Sequence, residues 1–190
     1  RQRGPGRSLL SRRHPVAWQQ ARRRARRTAF TDGRGAFARL FAREELAAAG
    51  LDFEIVHVNH SLTNDKGTVR GFHYQTPPHA EIKLVTCIRG AVLDVAVDIR
   101  DESPERFKSV SAELSAKNGA AMLIPEGFAH GFQALTDEVE LIYLHSAAYA
   151  PEAAAGYRFD DPAIGFDWPL EPKNLSERDR NCALIVEGAR

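Results

Sequence analysis

The sequence predicts an all-β fold, a sandwich or barrel carrying a few short helices, and three observations point to it. Seven runs rich in β-branched and aromatic residues follow one another through residues 53–146, turn-forming clusters separate them, and one short stretch alone has the composition of a helix. With 190 residues, 43% hydrophobic and 27% charged, the chain is long enough for one well-buried core and short for two. A single globular domain is expected.

Taken in order, residues 1–27 mix Gly, Pro and Arg without sustained apolar periodicity, and hold ten Arg and no acid. Self-repulsion and the lack of buriable surface predict a disordered extension. A basic arm for nucleic acid or acidic lipid and a transit-like peptide are its alternatives. The folded domain is expected over residues 28–190. That body carries 16 bases against 25 acids, which argues against nucleic acid as its partner.

Residues 44–49 (EELAAA) are good helix formers stopped by Gly50, and predict one short helix. Strands are expected at 53–58 (FEIVHV), 82–88 (IKLVTCI), 91–99 (AVLDVAVDI), 109–114 (SVSAEL), 120–125 (AAMLIP), 132–135 (FQAL) and 139–146 (VELIYLHS). Arg89-Gly90 between two apolar runs marks a hairpin. In the run at 91–99, Val92, Asp94, Ala96 and Asp98 face one way, and Leu93, Val95, Val97 and Ile99 the other. The acidic face suits either the polar lumen of a small barrel or a solvated outer surface.

Cys87 and Cys182 lie far apart with no C-x-x-C, so neither a zinc ribbon nor a disulfide-stapled scaffold is expected, and a reducing, cytoplasmic setting is the default. No apolar run approaches the roughly 18 residues of a membrane span, and none follows the early arginines as in a signal peptide. A soluble, non-exported protein without a membrane partner is expected.

Seven histidines, six of them in the acidic body, prompt a search for metal ligands. The nearest set is His73, His79, Glu81 and His130, but His73 is followed by Tyr74 and Gln75, so the His-x-His pair that places two ligands on one strand face is missing. No metal site is expected. A metal-free acid–base site is the stronger reading: His moves protons near neutral pH, Tyr returns them, and a positioned Lys stabilises an enolate. Lys83 opens an apolar strand and points away from Ile82 and Leu84. Taken singly, Lys83 also suits a solvated face, and His130 and Tyr143 also suit a core.

The ordered combination changes the balance. Asp32-Gly33-Arg34-Gly35, Asn59-His60-Ser61, Gly67-Thr68-Val69-Arg70-Gly71-Phe72-His73-Tyr74-Gln75, Pro77-Pro78 and Lys83-Leu84-Val85 lead. Val95 through Arg100, Ser103-Pro104, Ile124 through Phe132, Tyr143, Tyr149-Ala150-Pro151, Asp161-Pro162, Asp167 through Leu170 and Leu175 through Asp179 follow. Over about residues 30–182 this series resembles the dTDP-4-dehydrorhamnose 3,5-epimerase family of sugar-nucleotide enzymes.

The resemblance implies a cupin-type double-stranded β-helix, a jelly-roll barrel. It implies removal of the acidic hydrogens flanking the ketone of a nucleotide-linked 4-keto-6-deoxy sugar and return of protons to the opposite faces, with no cofactor and no metal. By that similarity His73 is the general base, Asp179 its partner, Lys83 the enolate stabiliser and Tyr143 the acid. Arg70, His130 and Arg178 are implied diphosphate ligands, for which forked guanidinium groups are suited. Asn59, Ser61 and Gln75 are implied substrate contacts. Tyr149 and Trp168 read as packing residues, Tyr149 also as shaping the sugar pocket. A homodimer with shared active sites is implied, the N-terminal strand contributing Arg34 and Phe37 to the partner.

Two departures fall at the nucleotide end. Arg39 stands where relatives show an acid, reversing charge and hydrogen-bond sense, and His57 stands where they show Gln. Thr68-Val69 replaces a Val-Leu pair. The nucleotide is therefore left open among dTDP, CDP and GDP, and one or both carbons are open to inversion. A ketoisomerase, a metal-dependent cupin enzyme and a non-catalytic sugar-nucleotide-binding cupin are the competing readings.

Overall fold

The computed structural model describes residues 17, 19, 21 and 24–185. Twelve strands are found among them: β1 (Arg24–Arg26), β2 (Ala29–Asp32), β3 (Gly35–Ala38), β4 (His57–Thr63), β5 (Val69–Gln75), β6 (Lys83–Arg89), β7 (Ala91–Asp98), β8 (Ser109–Ser115), β9 (Ala120–Ile124), β10 (Phe128–Ala134), β11 (Val139–His145) and β12 (Ala154–Gly156). Short helices accompany them, among them α1 (Arg43–Ala48), α2 (Glu177–Asn181) and a 3-10 turn at Pro151–Ala153.

Two five-stranded antiparallel sheets form the barrel, ordered β1-β9-β6-β11-β4 and β12-β5-β10-β7-β8, while β2 and β3, among the described residues, pair only with each other. This is the expected jelly-roll barrel of the cupin type. Period-2 alternation explains how both faces of its strands are used. Val85, Cys87, Val92, Ala96, Phe132 and Leu141 share one buried cluster between the sheets, whereas Val95 and Val97 pack outward on Phe72 and Ile164. Asp94 and Asp98 are completely buried, so the acidic face of β7 is an interior face and not a solvated one.

The expected strands at 82–88, 91–99, 109–114, 120–125 and 139–146 are present within a residue or two. Three differences have physical causes. The strand expected at 53–58 begins at His57, because Phe53 and Ile55 pack against the Leu51, Leu84 and Leu144 cluster outside any ladder. The strand expected at 132–135 starts at Phe128: pairing with both β5 and β7 carries the ladder through His130 and Gly131. Strand β5 was hidden by Gly71 and by its mixed side chains.

The expected boundary at residue 28 also moves. β1 pairs with β9, Arg24 opposite Met122, and the Arg27 guanidinium donates to Thr86 Oγ1, the Cys87 carbonyl and the Ala116 carbonyl. Ala21 is buried in the main core. The end of the arginine-rich segment is therefore part of the fold; most of the expected extension lies outside the described residues.

Candidate active site

The site is built around β5 and β10. His73 stands directly opposite His130 in the antiparallel register, so the two side chains share a face. Close approach of the strands requires glycine. Gly71 has φ +120°, and a Cβ there would lie 2.5 Å from Gly131 Cα.

Asp179 reaches His73 from α2. Ser176 caps that helix by accepting the Asp179 N–H at 3.0 Å, which fixes the buried carboxylate where its Oδ1 accepts His73 Nε2–H at 2.5 Å. Burial alone would raise the Asp179 carboxyl. The His73 hydrogen bond and charge, with the Ser176 and Gly71 contributions, outweigh it and hold the group below its ordinary 3.8. The imidazole is thus anchored at one nitrogen and basic at the other, Nδ1.

A second buried pair lies deeper, His130 Nε2 with Asp94 Oδ1 at 2.6 Å. The Tyr143 ring meets His130 edge-on, centroids 6.2 Å apart, and stacks on His145 at 6.1 Å. Its hydroxyl is 3.1 Å from Ser61 Oγ. Burial pushes the Tyr143 phenol well above its ordinary value, so near neutral pH it keeps its proton.

Lys83 and Glu81 both turn inward as i, i+2 neighbours. Lys83 Nζ donates to Glu81 Oε1 at 3.1 Å, and His145 Nδ1 donates to Oε2 at 2.7 Å. Burial would raise the Glu81 carboxyl, but these two partners together hold it below its ordinary 4.5. Asn59 Nδ2 lies 3.3 Å from His145 Nε2. At the mouth, Arg70 reaches Thr63 Oγ1 at 3.3 Å and the Leu62 carbonyl at 3.4 Å, and lines one cleft with His73, Arg178 and Asp179.

The residues expected from the sequence therefore fall into four groups. His73, Asp179, Arg70 and Arg178 share the cleft, and the inward faces of β4, β10 and β11 bring Asn59, Ser61, His130 and Tyr143 beside Lys83. Arg34 and Phe37 sit on the exposed β2–β3 hairpin, Arg34 closing on Asp32 and Arg39 on Glu45. His57 is exposed at the start of β4, opposite His145.

Two expectations are corrected. The Gln75 amide is consumed by the backbone: it donates to the His79 and Ala148 carbonyls and accepts the Ala150 N–H, so it fastens a loop. Tyr149 is 60% exposed and is not a packing residue, whereas Trp168 packs as expected, stacked on Phe72 at 5.6 Å. The four histidine and acid groups weighed as metal ligands are dispersed: His73 pairs with Asp179, His130 with Asp94, Glu81 with His145, and His79 faces Glu152. The sequence reading weighs Glu81 only as a metal ligand and Asp94 only as part of a face, and leaves His145 out, although alternation with Lys83, Ala96 and Tyr143 puts each on an inward face.

Comparison with known proteins points to one family. A protein named dTDP-4-dehydrorhamnose 3,5-epimerase from Sinorhizobium fredii is 46% identical over 159 residues, 83% of this chain and 82% of the relative. The crystal structure of the Bacillus anthracis dTDP-4-dehydrorhamnose 3,5-epimerase with TDP and PPi bound superposes with a TM-score of 0.83 at 33% identity, covering 85% of this chain and 93% of that one. A Legionella pneumophila dTDP-6-deoxy-D-glucose-3,5-epimerase in complex with dTDP-4-keto-L-rhamnose superposes at 0.81 with 36% identity, covering 85% and 86%. With the family's profile matching residues 23–187 on top of this inward-facing His, Tyr and Lys arrangement, the chain belongs to the dTDP-4-dehydrorhamnose 3,5-epimerase family.

Proposed function

We propose that this chain inverts carbon 3, carbon 5 or both in a dTDP-linked 4-keto-6-deoxy sugar by proton transfer through an enolate. The hydrogens flanking a ketone are acidic because the charge left behind moves onto oxygen. His73 Nδ1 takes one of them, while Asp179 holds Nε2–H and stabilises the imidazolium that forms. The Lys83 ammonium meets the oxygen where charge develops. Tyr143, which keeps its proton near neutral pH, returns it from the opposite face. Arg70, Arg178 and His130 take the diphosphate.

The single observation that supports this reading most is that three separate strands turn a buttressed His, a protonated Tyr and a Lys toward one barrel interior. The thymidine nucleotides held by the Bacillus and Legionella relatives favour dTDP over CDP and GDP, Arg39 and His57 notwithstanding.

A homodimer with shared sites belongs to the same proposal. Phe30 and Phe37 face each other across a hairpin that pairs with no other strand among the described residues, both more than 70% exposed, and Val58 and Leu62 on the outer face of β4 are also exposed. Apolar surface of this kind is covered by a second copy. Cys87 and Cys182 are unpaired, which suits a reducing, cytoplasmic compartment.

The test is product analysis: incubation with dTDP-4-keto-6-deoxyglucose followed by NMR of the sugar ring. Altered configuration beside the ketone supports the proposal, and an unchanged sugar overturns it.

A further inference from the structure

We propose that Glu81 and His145 form a positioning pair that aims two substrate-facing groups at once, the Lys83 ammonium and the Asn59 carboxamide. The proposal rests on the epimerase reading and adds to it a determinant of substrate affinity.

The pair is built into the barrel. His145 stands opposite Lys83 on β6 and opposite His57 on β4, while Tyr143, two residues earlier on the same face, stands opposite Asn59. Glu81, Lys83 and His145 are mostly buried, at 9%, 12% and 14% side-chain exposure. One carboxylate therefore serves two donors in a place that water reaches poorly, Oε1 taking Lys83 Nζ at 3.1 Å and Oε2 taking His145 Nδ1 at 2.7 Å.

Hydrogen-bond bookkeeping then fixes a chain of orientations. A carboxylate only accepts, so Nδ1 must carry the proton. In the neutral ring Nε2 is then an acceptor, and the Asn59 group 3.3 Å away must be its NH2. The Asn59 carbonyl oxygen is left to face a donor on the substrate, an O–H or an N–H. At the other end, Lys83 spends one of its three donors on Glu81 and keeps the rest for the ketone oxygen.

A side chain present only to fill space does not need opposed ring nitrogens with different partners. Stacking of His145 on Tyr143 at 6.1 Å further limits rotation of the ring. The charged and titratable groups around His145 are Glu81, Lys83, Tyr143 and, at the strand edge, His57.

Two substitutions separate the two ends. In His145→Asn the amide nitrogen overlays Nδ1, so the bond to Glu81 survives while nothing occupies the Nε2 position. In Glu81→Gln the charge that holds Lys83 is removed. Steady-state kinetics of the full-length enzyme on the dTDP-4-keto-6-deoxy sugar are expected to show KM raised about tenfold in His145→Asn with kcat within about twofold, the loss of one well-placed hydrogen bond. Glu81→Gln is expected to lower kcat about tenfold or more, since a displaced catalytic group loses rate steeply with distance.

Histidine-selective 15N NMR of the unsubstituted protein supplies a readout free of activity, with His145 expected to be protonated at Nδ1 and bare at Nε2. A proton on Nε2, or kcat and KM that move together or not at all in both variants, overturns the pair. If the unsubstituted enzyme leaves the sugar unchanged, the epimerase reading falls instead. The tautomer then still decides the pair: a bare Nε2 supports it and a protonated one ends it.

Discussion

His73 and Asp179 meet at 2.5 Å although 106 residues separate them in sequence. The carboxylate arrives from a helix capped by Ser176, and the imidazole from a strand whose neighbours include Gly71 and Gly131. A base anchored in this way presents one nitrogen only.

Asp179→Asn keeps the size of the side chain and removes the charge that balances the imidazolium. Its kcat is expected to fall about 10²-fold, within the range attributed to positioned acid–base groups, while circular dichroism remains that of the unsubstituted protein. Unchanged turnover would remove Asp179 from the mechanism.

Tyr143→Phe deletes the hydroxyl beside Ser61 and leaves the ring packed against His130 and His145. Hydrogen exchange at the first carbon is expected to continue with reduced net epimerisation, read by comparing solvent label uptake with product formation. Parallel loss of both would assign Tyr143 to the first proton transfer.

Acid sensitivity follows from the two buried carboxylates. Both have folded-state values below their ordinary ones, 3.8 for Asp179 and 4.5 for Glu81, so each contributes stability above those values that is lost as pH falls through the folded value. Thermal midpoints measured from pH 6 down to pH 2 are expected to drop once pH passes below about 4.5, and to drop less in Asp179→Asn. A flat profile would contradict the pairings.

Gly71→Ala places a methyl group 2.5 Å from Gly131 Cα at φ +120°. Overpacking and left-handed strain together are expected to cost about 2 kcal/mol or more, measured by urea unfolding, with the loss of activity tracking the displaced β5. A cost below 0.5 kcal/mol, well under that expected range, would mean that the strands can separate freely.

Shared sites are tested by complementation. A Phe30→Ser/Phe37→Ser chain keeps its own His73, and a His73→Asn chain keeps its hairpin. Each is expected to be weak alone, and an equal mixture refolded together to recover about a quarter of full activity, because half the dimers hold one intact site. No recovery in a demonstrated heterodimer would make each site self-sufficient.

Most of the barrel was legible because alternation in runs such as VLDVAVDI survives burial on both faces. Strand β5 was not, since Arg70-Gly71-Phe72-His73 shows no alternation and its ladder depends on β10 and β12. Within the site, His73, Tyr143, Lys83 and Asp179 could be named from ordered motifs, but motifs say nothing of side-chain partners. Gln75 was misassigned for that reason: only the fold reveals that its amide is used up by Ala148, Ala150 and His79. Asp94 was legible as a face and not as a function, its meaning depending on His130 coming to lie beside it.

The central claim, that His73 removes hydrogens beside a ketone, is tested most directly by solvent isotope wash-in. The protein is incubated in heavy water with dTDP-4-keto-6-deoxyglucose, and the carbons on either side of the ketone are examined by NMR or mass spectrometry. Deuterium at one or both carbons with the unsubstituted protein, and none with His73→Asn, is the expected result. No label with the unsubstituted protein, or equal label in both, would contradict it.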